Sequence, residues 1–298
     1  MSVASICLIL ISSLFHALWN VLTQTSRNSN FLSGLKGIMI MLLALVLLAY
    51  NGLGEFPPGI GLWIGLSGLL HGLYILSLSK AYSFQDISYV YPIARSAPVF
   101  VPLFSWLLLG ERLGWISFAA IALILLAVYT LHFEGHLIRG FKSLWDAILH
   151  KDLRWAFITL GLVVAYSLVD KRGMDIYFLH QPETRMANGL AFFFAESLIG
   201  FSLCNLYLFW KYPRREIFSV WRGEWLRGMV AAVATVGSYG LICVVLQSEP
   251  VSQVVAVRQT SVLMVVIWGC FKLREPFGRQ RILAAFLTVA GVGLMAWD

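Results

Sequence analysis

Charge is scarce in this chain: 12% of its 298 residues are Asp, Glu, Lys or Arg, where a soluble domain carries about 25%. With 59% hydrophobic residues and a mean hydropathy of +0.79, the solvent this sequence is built for is lipid. The two soluble domains that length alone allows are thereby excluded. Cysteine is scarce too. Cys7, Cys204, Cys243 and Cys270 all lie in apolar runs and none forms a CxxC pair, which excludes a disulfide framework or a metal ribbon and leaves them as small packing residues. There is no P-loop, no HExxH and no GxSxG, so neither an ATP-driven pump nor a common hydrolase is encoded. The net charge of +7 does not point to nucleic acid, because the basic residues fall in short links between apolar runs. No cofactor and no metal are expected.

What is present is a succession of apolar runs. A bilayer core about 30 Å thick needs roughly 20 residues of helix, and backbone polar groups in lipid must be satisfied within the segment. Ten spans are predicted, over 3–23, 31–50, 60–81, 87–109, 115–133, 154–172, 186–210, 225–247, 251–273 and 281–297. The first has no basic residues before it, so it reads as a membrane span, not a cleaved signal. In the sixth, Asp170 arrives before a full span is complete. The longest link, about 132–154, is too short for a folded domain.

With ten spans, alternate links face one side. Sixteen of the 22 Lys and Arg, Arg27, Lys36, Arg222 and Arg227 among them, fall on one side and four (Arg112, Lys171, Arg172, Arg185) on the other; Arg95 and Arg258 lie in spans. The positive-inside rule puts the richer side in the cytoplasm and both termini outside an inner, cellular membrane.

The chain also repeats itself. "DISYVYPIARSAPV" (86–99) aligns with "EPVSQVVAVRQTSV" (249–262): each starts on a carboxylate and places an arginine nine residues later, Arg95 and Arg258. "ERLG" (111–114) and "EPFG" (275–278) follow, and each copy closes on one apolar span. The period is about five spans, and an odd number turns the second copy over. Such inverted repeats enclose a midplane substrate site in many secondary transporters. The predicted fold is therefore an all-α integral membrane protein of ten helices in two inverted five-helix repeats, 1–133 and 154–298, joined by 134–153.

On "HALWN" (16–20), "YPIARSAPV" with "LLGERLG", and "AVRQTSVL" with "REPFG", the chain resembles the EamA family of the drug/metabolite transporter superfamily. The resemblance covers nearly the whole sequence. It implies two EamA-like repeats and transport of small metabolites, often amino acids or related compounds. Familiar members are drawn with cytoplasmic termini, the reverse of the charge count.

The polar residues inside spans are the candidate site. An arginine at helix centre costs roughly 2.5–3.5 kcal/mol, so Arg95 and Arg258 are expected to face a polar interior, holding either a substrate carboxylate or a neighbouring helix. Tyr91 shares a helix face with Arg95. Pro92, Pro98 and Pro102 interrupt that span, freeing carbonyls for a ligand or setting a packing kink. His16 and Asn20, with Trp19, and then Tyr166 and Asp170 repeat an i, i+4 spacing suited to a cavity wall; Asp170 could instead sit at the interface, since "DKRG" reads as a link. Glu196 is the carboxylate deepest in an apolar run, either protonated or paired with an arginine, and is the proton-coupling candidate. Gly61, Gly65, Gly68 and Gly72 form a stripe for close helix packing, with His71 and Tyr74 beyond it able to reach a cavity. Asp86 and Glu249 suit the N-terminal ends of their own helices, with Pro250 at the first helical position.

These features imply a secondary transporter, not an enzyme, acting as monomer or homodimer in the bilayer. It would move a small amino acid-like, anionic or zwitterionic solute by alternating access. The alternative is a membrane enzyme or flippase acting on a lipid-linked group.

Overall fold

A computed structural model describes residues 1–50, 55–84, 93, 96–133, 136, 154–264 and 279–297. Among these the secondary structure is helical, with no strand. The helices are α1 (Val3–Gln24), α2 (Ser29–Ala49), α3 (Ile60–Phe84), α4 (Ala97–Leu109), α5 (Trp115–His132), α6 (Arg154–His180), α7 (Met186–Lys211), α8 (Arg214–Thr235), a π-turn Val236–Gly240, α9 (Leu241–Leu246), α10 (Val251–Arg258) and α11 (Arg279–Trp297). Among the described residues, five apolar stretches are long enough to cross a membrane: Val3–Thr23, Ser29–Ala49, Ile60–Ala81, Met186–Lys211 and Arg214–Leu246. Three shorter apolar helices, Ala97–Leu109, Trp115–Thr130 and Ile282–Trp297, accompany them.

Two predicted boundaries need correction. The sixth helix does not stop at residue 172 but continues to His180, so Asp170, Lys171 and Arg172 are helical residues and not a link. Ahead of the eighth span the expected link is itself a helix starting at Arg214. Its exposed Arg214, Arg215 and Arg222 hid from a hydropathy reading the face that buries Ile217 and Trp221. That helix bends at Glu224, whose φ of −123° and ψ of 20° are non-helical.

The chain divides into two compact units, Met1–Ser13 with Ser77–Leu168 and Glu249–Asp298, and Leu14–Leu76 with Val169–Ser248. In the first unit, α10 lies beside α4 and α5. The Ser105 and Ser252 hydroxyls share a hydrogen bond at 2.7 Å, and Gln253 Nε2 donates to Ser117 Oγ at 2.6 Å. Gly291 of α11 lets the backbone of α5 approach: a Cβ there would lie 3.0 Å from the Ala120 carbonyl oxygen. The caps are exchanged between elements. Pro250 is the N-cap of α10, one place before the first helical residue. The open α10 end is met by Glu111 of "ERLG", whose Oε1 accepts from Val251 N–H at 2.8 Å and Oε2 from Ser252 Oγ at 3.1 Å. Glu249, expected to cap its own helix, accepts from Ser2 N–H at 2.9 Å and so serves the start of α1. In both cases a carboxylate meets the positive end of a helix.

α4 and α10 share a second feature. The predicted fourth span, 87–109, is not one continuous helix: Ser96, directly after Arg95, is the non-helical N-cap of α4. α10 likewise ends at Arg258, Gln259 forms a turn, and helix resumes at 260. Ser13 Oγ donates to the Arg258 carbonyl oxygen at 3.4 Å and accepts from Thr260 Oγ1 at 3.1 Å.

In the second unit α2 packs on α7 and α8 around Phe31, Leu32, Leu35, Leu208, Ile217 and Trp221. Trp221 Nε1 donates to the Phe31 carbonyl oxygen at 2.6 Å in this core. Trp221→Phe keeps most of the packing and removes that hydrogen bond, so a loss of about 0.5–1.5 kcal/mol is expected in detergent unfolding titrations. Asn28 caps α2 with its side-chain oxygen on the Asn30 and Phe31 amides, the ordinary use of Asn at this position.

The glycine stripe of α3 is half used. At Gly68 an added Cβ would lie 2.6 Å from the Glu196 carbonyl oxygen and 2.6 Å from Ile199 Cβ; at Gly72 it would lie 3.1 Å from the Gly200 carbonyl oxygen. Gly61 and Gly65, expected to pack likewise, have nothing within 4 Å among the described residues. The tight crossing of α3 on α7 is therefore at Gly68 and Gly72, which bracket His71.

Candidate functional site

The second unit gathers several polar side chains that the spans had to bury. Asp170 of α6 is fully enclosed, at 0% exposure, which corrects the reading that would leave it at the interface. A carboxylate in such a place needs donors, and α3 and the π-turn supply them. Ser67 Oγ of α3 donates to Oδ1 at 2.5 Å. The Tyr239 hydroxyl, from the π-turn, donates to Oδ2. His71 Nε2 stands 3.9 Å from the same oxygen.

His71 ties this group to Glu196 on α7. Its Nδ1 is 3.1 Å from the Ser67 carbonyl oxygen and 3.5 Å from Glu196 Oε2. Both are acceptors, so a hydrogen on Nδ1 serves them. Ser197 Oγ donates to Glu196 Oε1 at 3.3 Å. The His71 ring meets the Tyr239 ring edge-on, with centroids 4.8 Å apart. Both imidazole nitrogens thus face carboxylate oxygens of different helices. Glu196 is 3% exposed; of the two states expected for it, protonated or paired with an arginine, the described residues offer no arginine beside it, and the basic side chain it faces is His71.

The π-turn accounts for the placement of two further hydroxyls. A π-bulge inserts one residue into a helix and recurs at functional sites; here it carries both Ser238 and Tyr239. Ser238 Oγ lies 3.4 Å from His16 Nδ1 of α1. His16 meets Trp19 edge-on at 5.1 Å, and the Lys36 ammonium sits 3.7 Å over the Trp19 ring. Lys36, which its place in the sequence put among the link cations, is inside α2 and 4% exposed. Its charge is met by the indole face. The Asn20 amide donates back to the His16 carbonyl oxygen at 2.7 Å.

Of the predicted site residues, His16, Trp19, Asn20, Tyr74, Asp170 and Glu196 belong to this unit. Tyr74 is half-buried on α3, one turn beyond His71. Tyr166, 6% exposed, and Arg258, half-buried at the end of α10, belong to the first unit. Arg95 and Tyr91 lie outside the described residues, as do Pro92, Asp86 and Cys270. Sequence reasoning missed Ser67, Lys36, Ser238 and Tyr239. Ser67 stands four residues before His71 and so shares its helix face, a signal that could have been read. Among the described residues no three His, Cys, Asp or Glu side chains form a group able to hold a metal ion.

The EamA-like transporter family profile matches residues 3–133 and 178–297. An uncharacterized transporter in the cobO 3' region of a Sinorhizobium species is 30% identical over 132 residues, covering 40% of this chain and 94% of that protein. A solved crystal structure superposes with a TM-score of 0.71 over 100% of this chain and 98% of the other, at 16% identity, which speaks to fold alone. With two matched stretches that together span most of its length, this multi-pass membrane protein belongs to the EamA-like transporter family.

Proposed function

We propose that the protein is a secondary transporter that moves a small polar solute by alternating access, coupled to protons through Glu196, His71 and Asp170. One observation carries this: two buried carboxyl groups, from α6 and α7, meet a half-buried imidazole of α3 among apolar helices. Ionisable groups in that setting are expensive and mark ion or substrate pathways. The fold gains little from them, because a hydrophobic replacement of a buried polar set is often neutral or stabilising.

The solute proposed is amino acid-like, anionic or zwitterionic. Arg95 and Arg258 would hold its carboxylate, and Trp19, His16, Tyr91, Tyr74 and Tyr166 would line its path. The two inverted repeats proposed, 1–133 and 154–298, find support in the residue directly after each arginine, Ser96 and Gln259, each of which lies outside regular helix. Both termini outside remains the orientation proposed.

Coupling is tested with purified protein in liposomes that carry an internal pH dye. Wild type is expected to move protons with the solute. Glu196→Gln, which keeps shape and removes the titrating oxygen, is expected to exchange solute across the membrane with no accompanying proton movement. Unchanged proton movement in that variant rejects Glu196 as the coupling group. A product of altered mass would instead favour a membrane enzyme.

A further inference from the structure

Where α8 bends, the second unit holds a cavity of about 600 Å³ bounded by Thr25, Arg27, Gly223, Glu224, Trp225 and Arg227. Its volume is in the range of small-ligand sites, and it is separate from the buried carboxyl cluster of Asp170 and Glu196. Glu224 organises it. This carboxylate is buried, 9% exposed, and its Oε1 accepts from the Arg27 backbone N–H at 3.3 Å and from Arg227 Nη1 at 2.9 Å. Arg227 Nη1 also donates to the Thr25 carbonyl oxygen at 2.8 Å, which fixes the guanidinium against the α1–α2 link. Glu224 Oε2 is buried and has no hydrogen-bond partner among the described residues. A buried carboxylate oxygen without a donor is costly, so an occupant that brings one is favoured.

The cation on the other side of the cavity is also uncommitted. A Cβ on Gly223 would lie 3.4 Å from Arg27 Nη1, which places this guanidinium over the bend, and it has no carboxylate or carbonyl partner among the described residues. The surroundings fix the depth. Trp225 and Leu226 are 56% and 55% exposed and open the apolar run of α8, while Arg222 just before them is exposed. Tryptophan beside arginine at the start of an apolar span is the signature of the headgroup layer.

We propose that this cavity binds a phosphodiester headgroup that carries an ammonium donor. The phosphate lies between Arg27 and Arg227, and the ammonium completes Glu224 Oε2. Guanidinium–phosphate contacts of this kind are charge-assisted and directional. The binding is independent of which solute the transporter carries.

The test uses purified full-length protein in detergent, with thermal unfolding and native mass spectrometry as readouts. Phosphatidylethanolamine and phosphatidylcholine carry the same net charge and differ in donor hydrogens. Wild type is expected to bind the former about tenfold more tightly, the size of one hydrogen bond to a charged group. Soluble glycerophosphoethanolamine, the same diester without acyl chains, separates the sources: a response equal to that of the lipid assigns the site to a soluble ester, and a response only at much higher concentration assigns it to the membrane. Glu224→Gln is expected to bring the two lipids to parity, and Arg27→Gln to weaken both alike. Equal binding of the two lipids by wild type overturns the proposal, and so does a preference that survives in Glu224→Gln. If Glu224→Gln cannot be purified, Arg27→Gln decides, because that side chain is exposed: undiminished lipid binding there overturns it as well.

Discussion

Asp170→Asn is expected to leave a protein that inserts and unfolds in detergent near the wild-type temperature, while solute flux falls about a hundredfold because the buried negative charge is removed. The amide has nearly the shape of the carboxylate. It can still accept from Ser67 Oγ, now 2.5 Å away, and the Tyr239 hydroxyl can turn from donor to acceptor. What disappears is the negative charge facing His71 Nε2 at 3.9 Å, and with it the second end of any proton path to Glu196. Asp170→Ala separates structure from function in the other direction. It removes the buried carboxylate that the Ser67 and Tyr239 hydroxyls both bond, at about 1–3 kcal/mol each, so that variant should lose stability as well as flux. Equal flux loss in both variants with stability loss in the second alone is the expected pattern.

Gly68→Ala should be the most damaging single-methyl change on α3. Its Cβ would lie 2.6 Å from a backbone carbonyl oxygen, that of Glu196, and 2.6 Å from Ile199 Cβ. A backbone atom cannot rotate away, so α3 and α7 must separate. Overpacking of this kind costs about 1–3 kcal/mol, sometimes more, and exceeds the roughly 0.5–1 kcal/mol that alanine contributes over glycine in a helix. Because Ser67 and His71 flank Gly68 on the same helix, the separation also lengthens the 3.5 Å approach of His71 to Glu196, and flux should drop with stability. Gly65→Ala is the matched control: nothing among the described residues stands within 4 Å of its Cβ, and detergent unfolding should show a small gain. If the two alanine variants unfold alike, the α3–α7 crossing is not where the structure puts it.

Hydropathy alone located most of the helices, because a span in lipid must be apolar for about 20 residues and its ends are marked by charge. That same marker failed at α6. Asp170, Lys171 and Arg172 looked like a link, yet Asp170 finds Ser67 and Tyr239 while Lys171 donates to the Leu246 carbonyl oxygen at 3.0 Å and pairs with Asp175 at 2.8 Å. Tertiary partners decided, and apart from Asp175 those partners are far away in sequence. The start of α8 was hidden for the opposite reason, since an amphipathic stretch rich in arginine has low mean hydropathy whichever face it buries.

The candidate site was legible in part. His16, Trp19, Asp170 and Glu196 stood out as polar or aromatic groups in apolar runs, and burial is what such residues must reconcile. Tyr239 did not stand out, because a tyrosine in an apolar span is commonplace until a π-turn aims it at a carboxylate. Glu111 was visible only as part of a motif; that it caps α10, while Glu249 serves α1, depends on which helix ends the fold brings together.

Liposomes containing the purified protein, loaded with a defined mixture of the twenty amino acids and small organic acids and read by mass spectrometry of the released fraction, address the transport reading most directly. Wild type should release one or a few of these compounds chemically unchanged, at a rate that saturates with concentration, and Asp170→Asn should not. Release by Asp170→Asn at the wild-type rate would contradict a role for the buried carboxyl cluster in transport.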